Sequence, residues 1–326
     1  MKSFNKYVFD ALISKKSEIN KINYKVKSKD ELKDVIRKKT KDMIAKGSHL
    51  LYLSDIDISE LDNLQMLFIG VIGNKNIYKI DISSWDTKNV TDMSYMFEYL
   101  EDLTDIIGLE NLDVSKVERM NSMFSNCKKL QTLDLSKWKT HNLESMSSMF
   151  CNCIKLKEIK GIESFDTTSL NFIRELFRGC SSLESIDLNN WKIKEIYSLE
   201  NLFKNCKKLK SVKIGNLNTD SVSCIDSMFE NCQALKDIDD LSKWNMSYLS
   251  SAKKAFKKCY NLISIKGLDN WFKGSYQLNN KDFTEMFAEC INLKDIGDID
   301  YWKSIGKAKG MFKNTNIENL PSWYWE

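Results

Sequence analysis

The side chains of this 326-residue chain that could bind a metal or act as nucleophiles are nine cysteines and two histidines. Cys151 and Cys153 form a C-x-C pair, and His49 and His141 are the imidazoles that could assist them. Seven cysteines, however, lie three residues after a recurring phenylalanine, and thiols in one column do not converge tetrahedrally as zinc requires. The pattern therefore favours a buried ladder of thiols, which behave as small hydrophobic groups, and predicts no metal site. These seven are Cys127, Cys153, Cys180, Cys206, Cys232, Cys259 and Cys290.

The chain carries none of the common catalytic or nucleotide-binding motifs. It has no Gly-rich phosphate loop, no H-E-x-x-H, no G-x-S-x-G and no Cys/His nucleophile arrangement. Two histidines leave little acid–base machinery near neutral pH. The sequence thus predicts a protein that is not an enzyme and that has no cofactor.

Composition indicates a folded protein, since 42% of the residues are hydrophobic and 29% are charged. No run is long and apolar enough to span a bilayer, and the first twenty residues lack the apolar core and cleavage site of a signal peptide. For the sequence as written, this predicts a cytoplasmic location with reduced cysteines.

The elements that position these side chains repeat along the chain. Ten phenylalanines recur with a step that is mostly 26 or 27 residues, which is the period of a solenoid. One unit cannot bury its own apolar face, whereas a stack of units can. The ten are Phe68, Phe97, Phe124, Phe150, Phe177, Phe203, Phe229, Phe256, Phe287 and Phe312.

Each unit has two halves with different periodicities. Leu130, Leu133 and Leu135 form L-x-x-L-x-L, which predicts a short parallel strand. The next half, LESMSSMF from Leu143 to Phe150, has an apolar stripe that predicts a short α-helix or 3₁₀-helix. The predicted fold is an α/β solenoid of the leucine-rich-repeat type, with about ten strand–helix units, one parallel sheet and a cap at each end.

Three segments are predicted. Residues 1–48 form a basic α/β cap with a charge of about +8 within a total of +4, and its helix begins at the capping box Ser28–Glu31. Residues 49–312 form the repeat solenoid, and residues 313–326 form a C-terminal cap. The last aromatic residues should fold over the final coil. They are Trp323, Tyr324 and Trp325.

Four tryptophans, Trp85, Trp138, Trp191 and Trp244, lie 53 residues apart, which indicates a double unit. An exposed row of tryptophans could stack on sugars. Because the intervening copies are also apolar at this position, a core column is favoured.

Charges alternate in sign ten residues after successive repeat phenylalanines. These side chains should lie on the exposed face of neighbouring strands. They form either a ladder of ion pairs that fixes the register, which is favoured, or a mixed-charge surface that binds a protein. The extra residue before Trp244 makes one member, Asp239, the weakest assignment. The six are Asp134, Lys160, Asp187, Lys213, Asp239 and Lys266.

An insertion stretches one period to 31 residues, between Phe256 and Phe287. An extruded loop would present Trp271, Phe272 and Tyr276 as binding residues of the type found at interface hot spots. Alternatively, Trp271 and Phe272 fill the core column and only Tyr276 is exposed.

Residues 85–97, WDTKNVTDMSYMF, resemble the repeat of the BspA-like leucine-rich surface proteins, W-D-[TV]-x-x-V-x-x-M-x-x-M-F. The resemblance covers roughly residues 50 to 315, and later copies drift, as in WKIKEIYSLENLF at residues 191–203. It implies a protein-binding solenoid, often an exported bacterial adhesin whose partner is a host extracellular protein or glycan. Two alternatives stay open, which are an intracellular scaffold and a weak nucleic-acid binder acting through the basic cap.

Overall fold

The computed structural model describes residues 22–71, 76–273, 278–303 and 305–324. Successive coils of the chain stack in parallel register, so that Leu133 lies beside Ile159 and Ile186 beside Val212. The predicted parallel solenoid of the leucine-rich type is confirmed. Its predicted single sheet and its predicted helical half are not.

The strands are two or three residues long and form four parallel ladders within the described residues. The ladders are β1–β3, β2–β4–β5, β6–β7 and β8–β9–β10, so one sheet of about ten strands was the wrong prediction. The strands are β1 Tyr24–Lys25, β2 Leu50–Tyr52, β3 Ile56–Asp57, β4 Lys79–Asp81, β5 Asp105–Ile107, β6 Thr132–Asp134, β7 Glu158–Lys160, β8 Ser185–Asp187, β9 Ser211–Lys213 and β10 Asp237–Ile238.

Two of the breaks in the sheet come after β5 and after β7. In both places the residue that follows the strand is a glycine with positive φ. Gly108 (φ 88°) and Gly161 (φ 85°) each begin a short 3₁₀ turn, at Leu109–Asn111 and Ile162–Ser164. A Cβ atom on Gly161 would lie 2.3 Å from Ser136 Cα, so the chain passes too close to the preceding coil for any side chain. The two breaks are one double unit apart.

The half-unit that carries M-x-x-M-F is not helical, contrary to the prediction. The backbone has positive φ two residues before and two residues after the phenylalanine, as at Ser122 (52°) and Asn126 (62°) around Phe124. Positive φ ends a right-handed helix. Instead, the N–H of Ser122 donates to Ser147 O in the next coil over 2.9 Å. The half-unit is a run of tight turns with its own hydrogen bonds between coils, here called the turn ladder.

The core is a continuous column of stacked rings with aliphatic side chains around it. All ten repeat phenylalanines lie in this column, and the ring centroids of neighbours are 5.3 to 5.9 Å apart. Each ring is at most 3% exposed. The apolar repeat positions therefore form one core that runs the length of the solenoid.

Both ends of the column are covered. At the front, helix α1 (Lys29–Ala45) begins at the predicted capping box, where Ser28 Oγ accepts the Glu31 N–H and Glu31 Oε2 accepts the Lys27 N–H. At the back, Tyr324 packs edge-on against Phe312 with centroids 4.9 Å apart. Trp325 and the first 21 residues of the predicted N-terminal cap lie outside the described residues.

Candidate protein-binding surface

The charged side chains predicted for the strand face lie on the ends of successive strands. In β6 and β7, Asp134 is directly opposite Lys160, and both are exposed. In β8 and β9, Asp187 is directly opposite Lys213. Each of these four strands buries its central residue and exposes the charged residue that follows, because side chains alternate along a strand. We call this surface the charged strand face.

Among the described ion pairs, the row contributes one, which joins Asp187 and Lys213. Lys213 Nζ lies 3.1 Å from Asp187 Oδ2. The pKa of Asp187 is lowered, first by the hydrogen bond from the Asn189 N–H and also by Lys213. The pKa of Asp134 is lowered first by hydrogen bonds from Ser136 and to a lesser extent by Lys160. These carboxylates stay ionised, and their positions are set by the backbone turn that follows each strand.

The assignment of Asp239 to this row needs a correction. In the two regular pairs, the residue after the aspartate donates its N–H to the opposite lysine carbonyl, as Leu188 does to Lys213. The equivalent donor to Lys266 is Leu241, so the aspartate of the row is Asp240. Asp239 is the additional residue, and its carboxylate instead accepts hydrogen bonds from the Asn189 side chain and the Gly215 N–H.

Counting residues from the phenylalanines missed further exposed ion pairs, which lie within the strands or directly before them. Lys79 Nζ lies 3.2 Å from Asp105 Oδ2, and Lys210 Nζ lies 2.7 Å from Glu184 Oε2. These residues lie two and three positions before the predicted row. Exposed pairs of this kind each contribute only about 0.2–1 kcal/mol to stability, so a binding partner could replace them at little cost.

The inserted segment does not present the predicted pair of aromatic side chains. Trp271 is fully buried and stacks between Trp244 and Trp302, with centroids 6.1 and 6.2 Å away. Phe272 is 3% exposed. Trp271 and Phe272 therefore fill the core, which was the alternative prediction for both residues. Tyr276 lies outside the described residues.

The tryptophan column is also core rather than a platform for sugars. The indole N–H of Trp138 donates to Leu109 O over 3.1 Å, and that of Trp191 donates to Ile162 O over 2.9 Å. Each acceptor belongs to the preceding coil. Buried tryptophans usually find such a partner, and here the bond ties neighbouring coils together.

The seven column cysteines are buried free thiols, and each contacts a carbonyl of the preceding coil. Cys153 Sγ lies 3.1 Å from Phe124 O, and Cys206 Sγ lies 3.0 Å from Phe177 O. Burial raises the pKa of both thiols well above the ordinary value. Because each sulfur has a carbonyl of its own, the column serves packing rather than metal binding or nucleophilic chemistry.

One surface cleft of about 850 Å³ lies between the coils that contain Phe165 and Trp191. Its walls are polar and include Asp166, Lys192 and Lys194. Nothing in the sequence patterns indicated it, because the residues that line it occupy ordinary repeat positions.

The structure contains, in the ranges it describes, no helix with the length and apolarity that crossing a bilayer requires. A family model described as "Mycoplasma protein of unknown function, DUF285" matches residues 62–181, 171–289 and 239–326. No curated protein matches the chain.

Several solved leucine-rich repeat proteins are similar to the chain. One from Eubacterium ventriosum is 14% identical over 86% of this chain and 86% of that one, with a TM-score of 0.40. A leucine-rich cell surface protein from Faecalibacterium prausnitzii is 16% identical over 79% and 82%, with a TM-score of 0.29. A leucine-rich repeat protein from Leptospira interrogans is 14% identical over 91% and 78%, with a TM-score of 0.23.

Proposed function

The chain belongs to the family described as "Mycoplasma protein of unknown function, DUF285", and from that premise we propose that it is a non-enzymatic repeat scaffold that binds another protein through the charged strand face. The observation that carries the proposal is the fixed array of exposed charges, such as Asp187 and Lys213, on strands anchored by a continuous core. A rigid surface loses little conformational entropy on binding. Ordered charges add specificity and speed association.

The BspA-like repeat at residues 85–97 supports a more specific role. On this proposal the protein is an adhesin-like molecule at the cell surface or secreted, and its partner is a host extracellular protein or glycan. The same face would serve an intracellular scaffold equally well, since the surface chemistry is the same in either compartment. Residues 1–48, 49–312 and 313–326 are proposed as cap, binding solenoid and closing cap.

The test begins with the full chain immobilised against a panel of purified extracellular proteins and against cell lysate. Each captured protein is then titrated with a Lys160→Glu/Lys213→Glu variant. We expect this variant to weaken binding at least about tenfold, because it replaces two exposed cations of the face with anions. The matched control is Lys309→Glu/Lys313→Glu, which changes the net charge by the same amount at two exposed lysines outside the strands.

Equal loss in both variants would indicate a general charge effect rather than a defined face. Unchanged affinity in the Lys160→Glu/Lys213→Glu variant would rule out the charged strand face as the interface.

A further inference from the structure

Lysines concentrate at one corner of the solenoid, where the chain passes from a column cysteine to the strand that follows. Residues 153–160 read CIKLKEIK and residues 206–213 read CKKLKSVK. The chain after residue 48 is acidic overall, with a net charge of about −4, because residues 1–48 contribute about +8 to a total of +4. We call the exposed lysines between cysteine and strand in four successive coils the lysine corner. They are Lys155, Lys157, Lys207, Lys208, Lys210 and Lys236.

The backbone directs these side chains away from the core. Leu156 and Leu209 are fully buried, and each lies between two lysines of the corner. Main-chain hydrogen bonds stack the coils in register, since the Lys210 N–H donates to Glu184 O over 2.8 Å and the Lys236 N–H donates to Lys210 O over 3.0 Å. Neighbouring coils joined in this way are about 4.8 Å apart, so the lysines form a track parallel to the solenoid axis.

The corner begins where the acidic partners of the lysines end. In the preceding coil two lysines hold equivalent positions, and both are neutralised. Lys128 Nζ lies 2.7 Å from Glu101 Oε1, and Lys129 is paired with Asp102 in the same way. Within the corner, Lys210 alone forms an ion pair among the described residues. The other five ammonium groups are therefore available to an external anion.

The carboxylate inside the track does not neutralise it. The pKa of Glu184 is lowered, first by the hydrogen bond from Lys210. Lys208 and Lys157 lower it further, which places lysines of both neighbouring coils close to this carboxylate. An anion at this position thus lies in the positive field of three coils.

The charges of the adjoining strands and turns leave the balance positive. From the column cysteine to the seventh residue after it, the four coils contain eight lysines and five carboxylates, a net charge of +3. On the turn-ladder side, Lys204 is paired with Glu230 and Arg178 with Glu175, with both N···O distances 2.9 Å. The four segments are residues 153–160, 180–187, 206–213 and 232–239.

The residue types of the corner indicate which anion it fits. The four segments contain no arginine and no aromatic residue. Arginine binds phosphate and carboxylate groups through two parallel hydrogen bonds, whereas lysine acts as a point charge. Aromatic rings are the surfaces on which proteins stack unpaired bases. A track of lysines without either feature recognises closely spaced charge rather than bases or planar groups, which suits the sulfate groups of a polysaccharide.

We propose that the lysine corner binds a linear sulfated polysaccharide, which runs parallel to the solenoid axis and places sulfate groups against lysines of successive coils. The contacts are charge-assisted hydrogen bonds from the ammonium groups to sulfate oxygens. The inference rests on the extracellular form of the proposed function and names the class of glycan. It places that glycan beside the charged strand face rather than on it.

The test titrates the full chain with heparin oligosaccharides of defined length, by calorimetry at several salt concentrations. We expect binding that weakens steeply as salt rises, because counterions are released from the polyanion. Lys155→Gln/Lys208→Gln should weaken binding at least about tenfold and reduce the salt dependence, since it removes two unpaired cations of the track. The matched control, Lys309→Gln/Lys313→Gln, removes two exposed lysines in the coil of Phe312 and should bind normally. Equal melting temperatures of the two variants confirm that the fold is intact.

Competing anions test the ligand class. Desulfated heparin, polyglutamate and single-stranded DNA of matched length should each bind at least about tenfold more weakly than heparin. If polyglutamate or DNA binds as tightly as heparin, the sulfated polysaccharide is the wrong ligand. If heparin does not bind at low salt, or if the two lysine variants lose affinity equally, the corner is not the site.

The Lys160→Glu/Lys213→Glu variant separates this inference from the proposed function. A captured protein partner should bind the Lys155→Gln/Lys208→Gln variant normally. If heparin fails to bind while Lys160→Glu/Lys213→Glu still weakens that partner, the lysine corner is wrong and the proposed function stands. If the corner binds heparin while the partner binds Lys160→Glu/Lys213→Glu normally, the charged strand face is wrong and the corner stands.

Discussion

Cys180 Sγ lies 3.1 Å from the main-chain oxygen of Phe150, one coil earlier along the solenoid. The thiol is fully buried, and the ring of Phe150 stacks on that of Phe177 with centroids 5.8 Å apart. The cysteine column and the phenylalanine column are therefore connected, because each thiol donates to the backbone that carries a stacked ring. A small side chain with a weak donor fits this position better than an alkyl group of the same size.

Replacing Cys180 tests this connection. Cys180→Ala should lower the free energy of unfolding by about 1–3 kcal/mol, because it removes a buried donor and leaves a small cavity. Cys180→Ser keeps a donor at the same position and should cost less. Urea unfolding followed by circular dichroism measures both variants. If the serine variant is the less stable of the two, packing of the sulfur rather than its hydrogen bond is the main contribution.

Thiol reactivity should distinguish the cysteines by burial. Cys224 is partly exposed, whereas the other eight are buried. Burial raises the pKa of Cys224, and it raises that of Cys151 to about 11, so little thiolate is present near neutral pH. We expect iodoacetamide to modify Cys224 first and the column thiols only after denaturation, as read by mass spectrometry of peptides. Early labelling of Cys180 in the native protein would mean that the coils open locally.

The columns could be predicted from the sequence because one residue type fills each of them at a constant spacing. Phe124, Phe150 and Phe177 are 26 and 27 residues apart, and such a period aligns coils without any knowledge of backbone angles. The same argument located the buried tryptophans and thiols. A repeat therefore predicts which residues become neighbours more reliably than it predicts the backbone between them.

The prediction that half of each unit is helical was wrong for a physical reason. Met146 and Met149 are three residues apart, a spacing that consecutive tight turns share with a helix, and the Met149 N–H does bond to Met146 O over 3.2 Å. The difference is the positive φ of 57° at Ser148, which a serine does not signal. The absence of a bridge between Phe172 and Ser198 in the described part of the chain was hidden for a similar reason, since the drift at residues 191–203 was visible but its effect on backbone hydrogen bonds was not.

The phenylalanine column should be the most sensitive part of the fold. Phe177→Ala removes a fully buried ring stacked on both sides and should cost about 3–5 kcal/mol of unfolding free energy. The matched control is Phe172→Ala in the same coil, where the ring is 51% exposed, and its cost should be below about 1 kcal/mol. Thermal and urea unfolding measure both. Similar losses would show that Phe172 contributes to the core.

The close approach at Gly161 should not tolerate a methyl group. Gly161→Ala combines positive φ with a Cβ that would lie 2.3 Å from Ser136 Cα. The substitution should therefore lower the free energy of unfolding by more than about 2 kcal/mol. Gly47→Ala separates the two effects, because Gly47 has a φ of 62° but nothing within 4 Å of an added Cβ. Gly47→Ala should lower the free energy of unfolding by about 1 kcal/mol, because only the positive φ opposes the added methyl group. Equal losses in the two variants would contradict the steric argument.

The solenoid should lose stability in acid through the aspartates that cap its turns. The pKa of Asp113 is lowered, first by the Ser115 side chain and then by the Ser115 N–H, and Asp166 is held in the same way by Thr168. Because the folded-state pKa lies below the unfolded value of about 3.9, the stabilisation is fully present above the unfolded pKa. It is lost as the pH falls through the folded pKa.

The chain offers its own control for this prediction, since two later coils have asparagine at the same position. Asn218 Oδ1 accepts the Asp220 N–H over 3.0 Å, and Asn245 Oδ1 accepts the Ser247 N–H over 3.1 Å. Asparagine keeps the turn and does not titrate. Between about pH 5 and pH 3, where aspartates protonate, the melting temperature of the Asp113→Asn/Asp166→Asn variant should therefore fall less than that of the parent chain. Differential scanning calorimetry over this range measures the difference. An unchanged pH dependence would show that other carboxylates, such as those paired with lysines on the charged strand face, determine the acid sensitivity.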